Sequence, residues 1–170
     1  MYDDFIIHLE GLKIGVHRFK FLLDDTFFKG LDFSLIKGGK VEFEVDLDKR
    51  ERVMNLITKG EGVLELDCDR CGDLMHFPLE FEENTVVKFG EEEFVDAGIW
   101  EIPSKNKDLD ISHFLYESVC LQLPAKITHD EAIAEESCDE ESISRLNALQ
   151  GGNNETKEMD PRWEALNKLK

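Results

Sequence analysis

No stretch of this sequence approaches the roughly 18 uninterrupted apolar residues that a membrane-spanning helix needs. The first residues, "MYDDFIIHLEG", lack the basic n-region and apolar core of a secretory signal. A Gly-rich phosphate loop, a serine nucleophile elbow and a His-Glu-x-x-His helix are missing as well, and no internal repeat is visible. These absences argue against export, membrane insertion and the commoner hydrolytic or phosphoryl-transfer chemistries. A cytoplasmic, non-enzymatic protein is the expectation. Without an export signal, the four cysteines read as thiols or metal ligands, not as a disulfide framework.

Positive charge is the other scarcity. The 170 residues carry 20 Lys and Arg against 38 Asp and Glu, a net charge of -18. The deficit is uneven: residues 1–60 hold ten basic and eleven acidic residues, and the remaining 110 hold ten and twenty-seven. Nucleic-acid affinity that depends on neutralising phosphates is opposed by such a balance. Any RNA contact has to be local, because charges farther apart than about 10 Å are largely screened at ~0.1 M salt. Lys13, Arg18, Lys20, Lys49, Arg50, Arg52 and Lys59 offer a patch for one, the alternative being scattered solvated side chains. Nothing points to DNA or to a membrane as a partner.

What is present begins with strands. "KVEFEVDLDK" alternates strictly, with Val41, Phe43, Val45 and Leu47 on one face and Glu42, Glu44, Asp46 and Asp48 on the other. "GVLELDC" and "MHFPLEF" alternate in phase around "DRCGD". This predicts a hairpin with Gly72 at a positive-φ turn position. Pro78 donates nothing to a ladder, so its strand should lie at an edge or carry a bulge. "DFIIHLEGL", "GVHRFKFLL", "VVKFG" and "GIWEIP" add strand candidates, and "DTFFKGLDF" a short helical turn capped by Asp25 or Thr26.

Over "DLDISHFLYESVCLQLP" the period changes to that of a helix. Ile111, Phe114, Leu115 and Val119 make one strip and Tyr116, Cys120 and Leu123 a second, with Asp110 as N-cap and Pro124 as terminator. The fold class expected is α+β: a small antiparallel β-sheet or partly closed barrel covered by one main helix. The divisions are a domain over 1–128, an acidic tail and linker over 129–158, and a C-terminal amphipathic helix over 159–170. That last helix, "MDPRWEALNKLK", places Trp163, Leu166 and Leu169 in one stripe and is too short to stand alone in water. It must dock, on its own domain or on a partner.

Cys68-x-x-Cys71 is the sharpest local signal. Two thiolates at this spacing can face one tetrahedral ion, but they supply half a site. Among the remaining cysteines and histidines, His129 and Cys138 lie close together in a stretch poor in apolar anchors. A set of Cys68, Cys71, His129 and Cys138 would staple the acidic tail to the hairpin with a structural zinc. The competing reading leaves Cys138 a loose thiol and His129 a surface residue. Cys120, on an apolar strip, reads as core. His76 turns away from the Met75/Phe77 face, and His8, His17 and His113 have no partner spacing. A redox dithiol is disfavoured, because Asp67, Asp69 and Asp73 should raise the thiol pKa and no helix N-terminus lowers it. A thiol- or metal-dependent enzyme using Cys68 and Cys71 stays as the rival class.

Four segments, in this order and spacing, give the chain a family likeness: "LDCDRCG" (66–72), "YESVCLQLPAKITHD" (116–130), Cys138, and "DPRWEALNKLK" (160–170). It resembles the YceD family, the large ribosomal RNA subunit accumulation proteins. The resemblance implies a non-enzymatic factor that supports accumulation of large-subunit ribosomal RNA, with a ribosomal or pre-ribosomal component as partner. It maps the family's cysteine pair onto Cys68 and Cys71 and its His and following Cys onto His129 and Cys138. The acidic tail departs from relatives that carry a cysteine-rich ending there. An acidic adaptor for a basic ribosomal protein is a further alternative.

Overall fold

The computed structural model describes residues 5–149 apart from 33, 92, 93, 97, 134 and 135. The expected helix at 159–170, with Trp163, Leu166 and Leu169, lies outside the described residues. Among the described residues, eight strands, β1 (Ile6–His8), β2 (Gly15–Leu23), β3 (Gly38–Lys49), β4 (Val53–Asp67), β5 (Leu74–Gly90), β6 (Phe94–Asp96), β7 (Ile99–Pro103) and β8 (Asp108–Asp110), are joined by three helices. These are α1 (Asp25–Lys29), α2 (Ser112–Gln122) and α3 (Glu140–Leu149), and a 3-10 turn covers His129–Glu131.

Six strands form one sheet in the order β2-β3-β4-β5-β7-β6, antiparallel except where β7 runs parallel to β5. β1 and β8 make a separate two-stranded ribbon. The class is α+β as expected, and of the two expected forms the open sheet is the one adopted, not the barrel. "VVKFG" is no separate strand. It is the end of β5, whose alternation runs on from Met75 to Val87.

The alternation of β3 sorts its side chains as the pattern predicts. Val41, Phe43, Val45 and Leu47 are buried beside Met54, Leu56, Leu64 and Leu66 of β4 and Met75, Leu79 and Val87 of β5. Leu115 and Val119 of α2 cover this face, and Phe114 stacks on Trp100 at 5.4 Å between ring centres. Tyr116, Cys120 and Leu123 pack at the margin of the core, which accounts for the second strip. The N-cap of α2 is Ile111 and not the expected Asp110, which sits one position earlier with its carboxylate accepting from the Ser112 N–H and hydroxyl at 2.9 and 2.7 Å. The cap of α1 is Asp24, which accepts from the Thr26 and Phe27 N–H groups, one position before the expected residues. Asp25 instead accepts from the Gly39 N–H and pairs with Lys29.

The opposite face is polar, and the basic patch dissolves there into ion pairs. Arg18 pairs with Asp46, Lys20 with Glu44, Arg50 with Asp48 and Lys59 with Glu82. Lys49 donates to the carbonyls of Leu9 and Leu12. The sequence displays seven cations, and the register places carboxylates opposite or beside most of them.

Two glycines shape β4. Gly60 lies in register with Phe43 and Phe81, whose rings close over it edge to face at 6.1 Å. Gly62 pairs with Val41 and Leu79, and the β3 backbone at Lys40 and Val41 leaves no room for a side chain there. Pro78 lies in β5 where only β4 flanks the strand, because β7 reaches no further than Val86–Gly90. This is the edge position its missing donor requires.

One acid points inward. Glu83 shares its sheet face with its cross-strand partner Thr58, and the Ser118 hydroxyl of α2 donates to its carboxylate. Thr58 Oγ1 is buried with no hydrogen-bond partner among the described residues. Burial pushes the Glu83 carboxyl above its ordinary pKa, and the Ser118 bond only partly opposes this. As pH climbs from the unfolded pKa toward the higher folded one, the unfolded chain releases its proton first, so stability falls. Below that window both states are protonated and no penalty exists. Glu83→Gln should therefore melt at a higher temperature than the parent at neutral pH. The gap should close as pH drops below the ordinary glutamate range, which thermal melts across pH will check. A gap that widens in acid would refute the assignment.

Candidate metal centre

Cys68 follows β4 and Cys71 precedes β5, so the hairpin register fixes both. Between them the chain turns tightly: the Gly72 N–H reaches the Cys68 carbonyl at 2.8 Å, with Gly72 at φ 84°. The Arg70 N–H points at Cys68 Sγ from 3.4 Å. The turn thus holds both sulfurs on one side and aims main-chain donors at one of them.

After α2 the chain returns to this tip. Asp69 grips it twice, its N–H donating to the Ile127 carbonyl at 2.8 Å and its carboxylate accepting from the Ile127 N–H at 2.7 Å. That brings in the 3-10 turn, where His129 is only 8% exposed. Further on, the Ile133 N–H donates to the His76 carbonyl, and Glu136 takes the His76 N–H and meets its Nδ1 at 2.9 and 2.6 Å. Arg70 pairs with Asp130. Cys138 arrives beside the hairpin at the end of this run, before Asp139 caps α3 through the Ser142 N–H.

The ligand atoms of Cys68, Cys71, His129 and Cys138 all lie within 4.8 Å of one another. Cys68 Sγ and Cys138 Sγ are 3.8 Å apart, and His129 Nδ1 lies 3.6 Å from Cys71 Sγ and 3.5 Å from Cys138 Sγ. Around a tetrahedral zinc, bond lengths near 2.3 Å to sulfur and 2.0–2.1 Å to nitrogen give edges of about 3.8 Å between sulfurs and about 3.6 Å between sulfur and nitrogen. These three separations match such edges, and the whole set stays within 4.8 Å. Three thiols and one imidazole are also a donor set suited to zinc. The four residues fit a metal ion.

Electrostatics here depart from the sequence expectation. Burial alone would push the Cys68 thiol up, but N–H groups of Cys71, Arg70 and His129 outweigh it and bring the pKa down to about 6. The acidic neighbours do not set this value. Burial raises the Cys71 thiol, and the neighbouring Cys68 and Cys138 sulfurs raise it further. One thiolate forms readily, and a second beside it is disfavoured unless a cation joins them.

The remaining candidates stand apart. Cys120 is half-buried on α2, and burial raises its thiol. His8, His17 and His113 bond to Asp108, the Lys13 carbonyl and Glu117 respectively. His76 is no ligand but a latch for the tail through Glu136, a role sequence spacing did not signal because Glu136 is one acid in a crowd. Arg70 and Asp69 were likewise illegible, since a residue between two cysteines can point anywhere.

A family model described as "Large ribosomal RNA subunit accumulation protein YceD" matches residues 58–170, well over half of the chain and all four of these side chains. No curated protein and no solved structure matches the chain.

Proposed function

The chain belongs to the YceD family of large ribosomal RNA subunit accumulation proteins, and from that premise we propose that it supports large-subunit RNA accumulation as a metal-clamped scaffold and not as an enzyme. The family implies the process, and the convergence of Cys68, Cys71, His129 and Cys138, with three separations of tetrahedral length, supports the structural part. Four protein ligands would close a zinc site and leave no position for a reactive water. The ion would then be structural, joining the hairpin tip to the acidic segment that follows α2.

The partner proposed is a ribosomal or pre-ribosomal component, with Trp163, Leu166 and Leu169 as a contact stripe. The ion pairs on the polar sheet face argue against that face as a phosphate-binding surface, because its cations already have carboxylates. No helix among the described residues is long and apolar enough to cross a membrane.

Co-sedimentation through a gradient tests the partner. The protein should travel with large-subunit precursor particles and lose that association when Trp163 and Leu166 are both changed to Ala. Nuclease treatment separates the alternatives: retention on a basic ribosomal protein after RNA is digested, with steep loss in salt, favours the acidic adaptor. Migration only at the top of the gradient in every condition would refute the ribosomal reading. The enzyme rival is met by metal analysis with thiol titration, where no metal and a Cys68/Cys71 pair that cycles with a reductant would favour it.

A further inference from the structure

We propose that Arg70 is a positioning residue of the metal centre, its guanidinium, oriented by Asp130, supplying the positive charge that lets three thiolates share one divalent ion. This rests on the reading that the four side chains bind metal. Three thiolates and a neutral imidazole around a divalent ion leave the centre with one net negative charge. The surroundings aggravate it: Asp67, Asp69 and Asp73 flank the cysteine pair, and Asp130, Glu131, Glu136 and Asp139 flank the other two ligands.

Arg70 answers that excess from inside the turn. Its backbone N–H meets Cys68 Sγ at 3.4 Å, and Nη1 lies 3.9 Å from Cys138 Sγ. One residue thus touches a ligand on each side of the staple, by main chain on the hairpin and by side chain on the tail. Asp130 holds the guanidinium in place, accepting from Nη2 at 2.5 Å and from Nη1 at 3.4 Å. The Arg70 side chain is 32% exposed, about half the exposure of Arg18 or Arg50 on the sheet face.

The fork geometry decides the residue type. Nη2 serves Asp130 while Nη1 is shared between Asp130 and the sulfur, which a planar guanidinium can do. A lysine keeps the charge but brings a single nitrogen to two acceptors. A glutamine keeps the backbone N–H to Cys68 and loses the charge. Groups outside the ligand shell tune affinity by roughly 10- to 100-fold, and that is the range expected here.

The test uses the full chain loaded with zinc and challenged by a chelating indicator. Arg70→Gln should give up zinc 10- to 100-fold more readily than the parent, with Arg70→Lys between them. Asp130→Asn should also loosen the ion, and adding it to Arg70→Gln should bring little further loss, because it acts through the arginine. Cobalt in place of zinc supplies a signature that general destabilisation would not move: the thiolate-to-metal band should shift in Arg70→Gln while the protein stays folded by circular dichroism. If the parent holds zinc and Arg70→Gln holds it as tightly with an unchanged cobalt spectrum, the role of Arg70 is refuted and the metal reading stands. If the parent holds neither metal, both fall.

Discussion

On the proposed metal reading, changing Cys138 to Ser should cost the protein a bound zinc and release residues 127–133 and 136–138 from the hairpin, while the sheet keeps its fold. Structural zinc sites bind with an apparent ~10–16 kcal/mol shared over four ligands, so one thiolate is worth about 3 kcal/mol, on the order of 100-fold in affinity. The core does not depend on the ion, because Val41, Phe43, Val45, Leu56 and Leu64 are buried among themselves on a sheet closed by main-chain bonds. The tail only borders that core, through Ile127, Ala132 and Cys138. Beyond that packing it is held by the Asp69–Ile127 pair, the Ile133-to-His76 bond, the Glu136–His76 latch and Arg70–Asp130.

Hydrogen exchange will separate the two regions. The Ile127 and Ile133 amides should exchange much faster in Cys138→Ser and in chelated parent, while β3 and β4 amides stay protected. Metal analysis should fall from one zinc per chain to none after dialysis against a mild chelator. A variant that keeps one zinc at parental affinity would remove Cys138 from the ligand set.

The second large effect lies far from the metal. Gly62→Ala should cost about 3 kcal/mol, the upper end of the usual penalty for overpacking, lowering the melting temperature by roughly 6–12 °C for a chain of this size. An alanine ordinarily gains stability over glycine by restricting the unfolded chain, so the sign here is set by sterics. A Cβ on Gly62 would fall against the Lys40 carbonyl oxygen and within 2.7 Å of Val41 Cα, both backbone atoms of β3. Neither can rotate aside, so the strands must part. Gly60→Ala is the control: its Cβ would meet the Phe81 ring at 2.5 and 2.8 Å, and that ring belongs to a partly exposed side chain that can swing away. Its loss should be nearer 1 kcal/mol. Equal melting of Gly62→Ala and the parent would refute the close approach of β3 and β4.

Much of this fold is legible because burial is periodic. Val41 to Leu47 declare their face by alternation alone, and the phase match of Leu64, Leu66, Met75 and Phe77 across "DRCGD" declares the hairpin. The convergence of Cys68, Cys71, His129 and Cys138 is legible because His129 and Cys138 stand out chemically among acids. What does not show is everything set by register between distant segments. Nothing local says that Asp46 faces Arg18, that Glu83 points inward under Ser118, or that Glu136 seeks His76 among so many carboxylates. The Cys68 thiol is instructive, for its side-chain neighbours predict a raised pKa and three backbone N–H groups reverse it. Backbone direction in a tight turn has no signature in residue type.

The bare flank of β5 has a consequence of its own. A strand lacking a neighbour on one side is a template onto which a second molecule can zip, the usual first step toward fibrils. Two adjoining outward positions are blunted here: both main-chain groups of His76 are occupied by the returning segment, and Pro78 has no hydrogen to offer. The segment returning after α2 thus sheathes part of an adhesive border for as long as Ile133 and Glu136 stay in place.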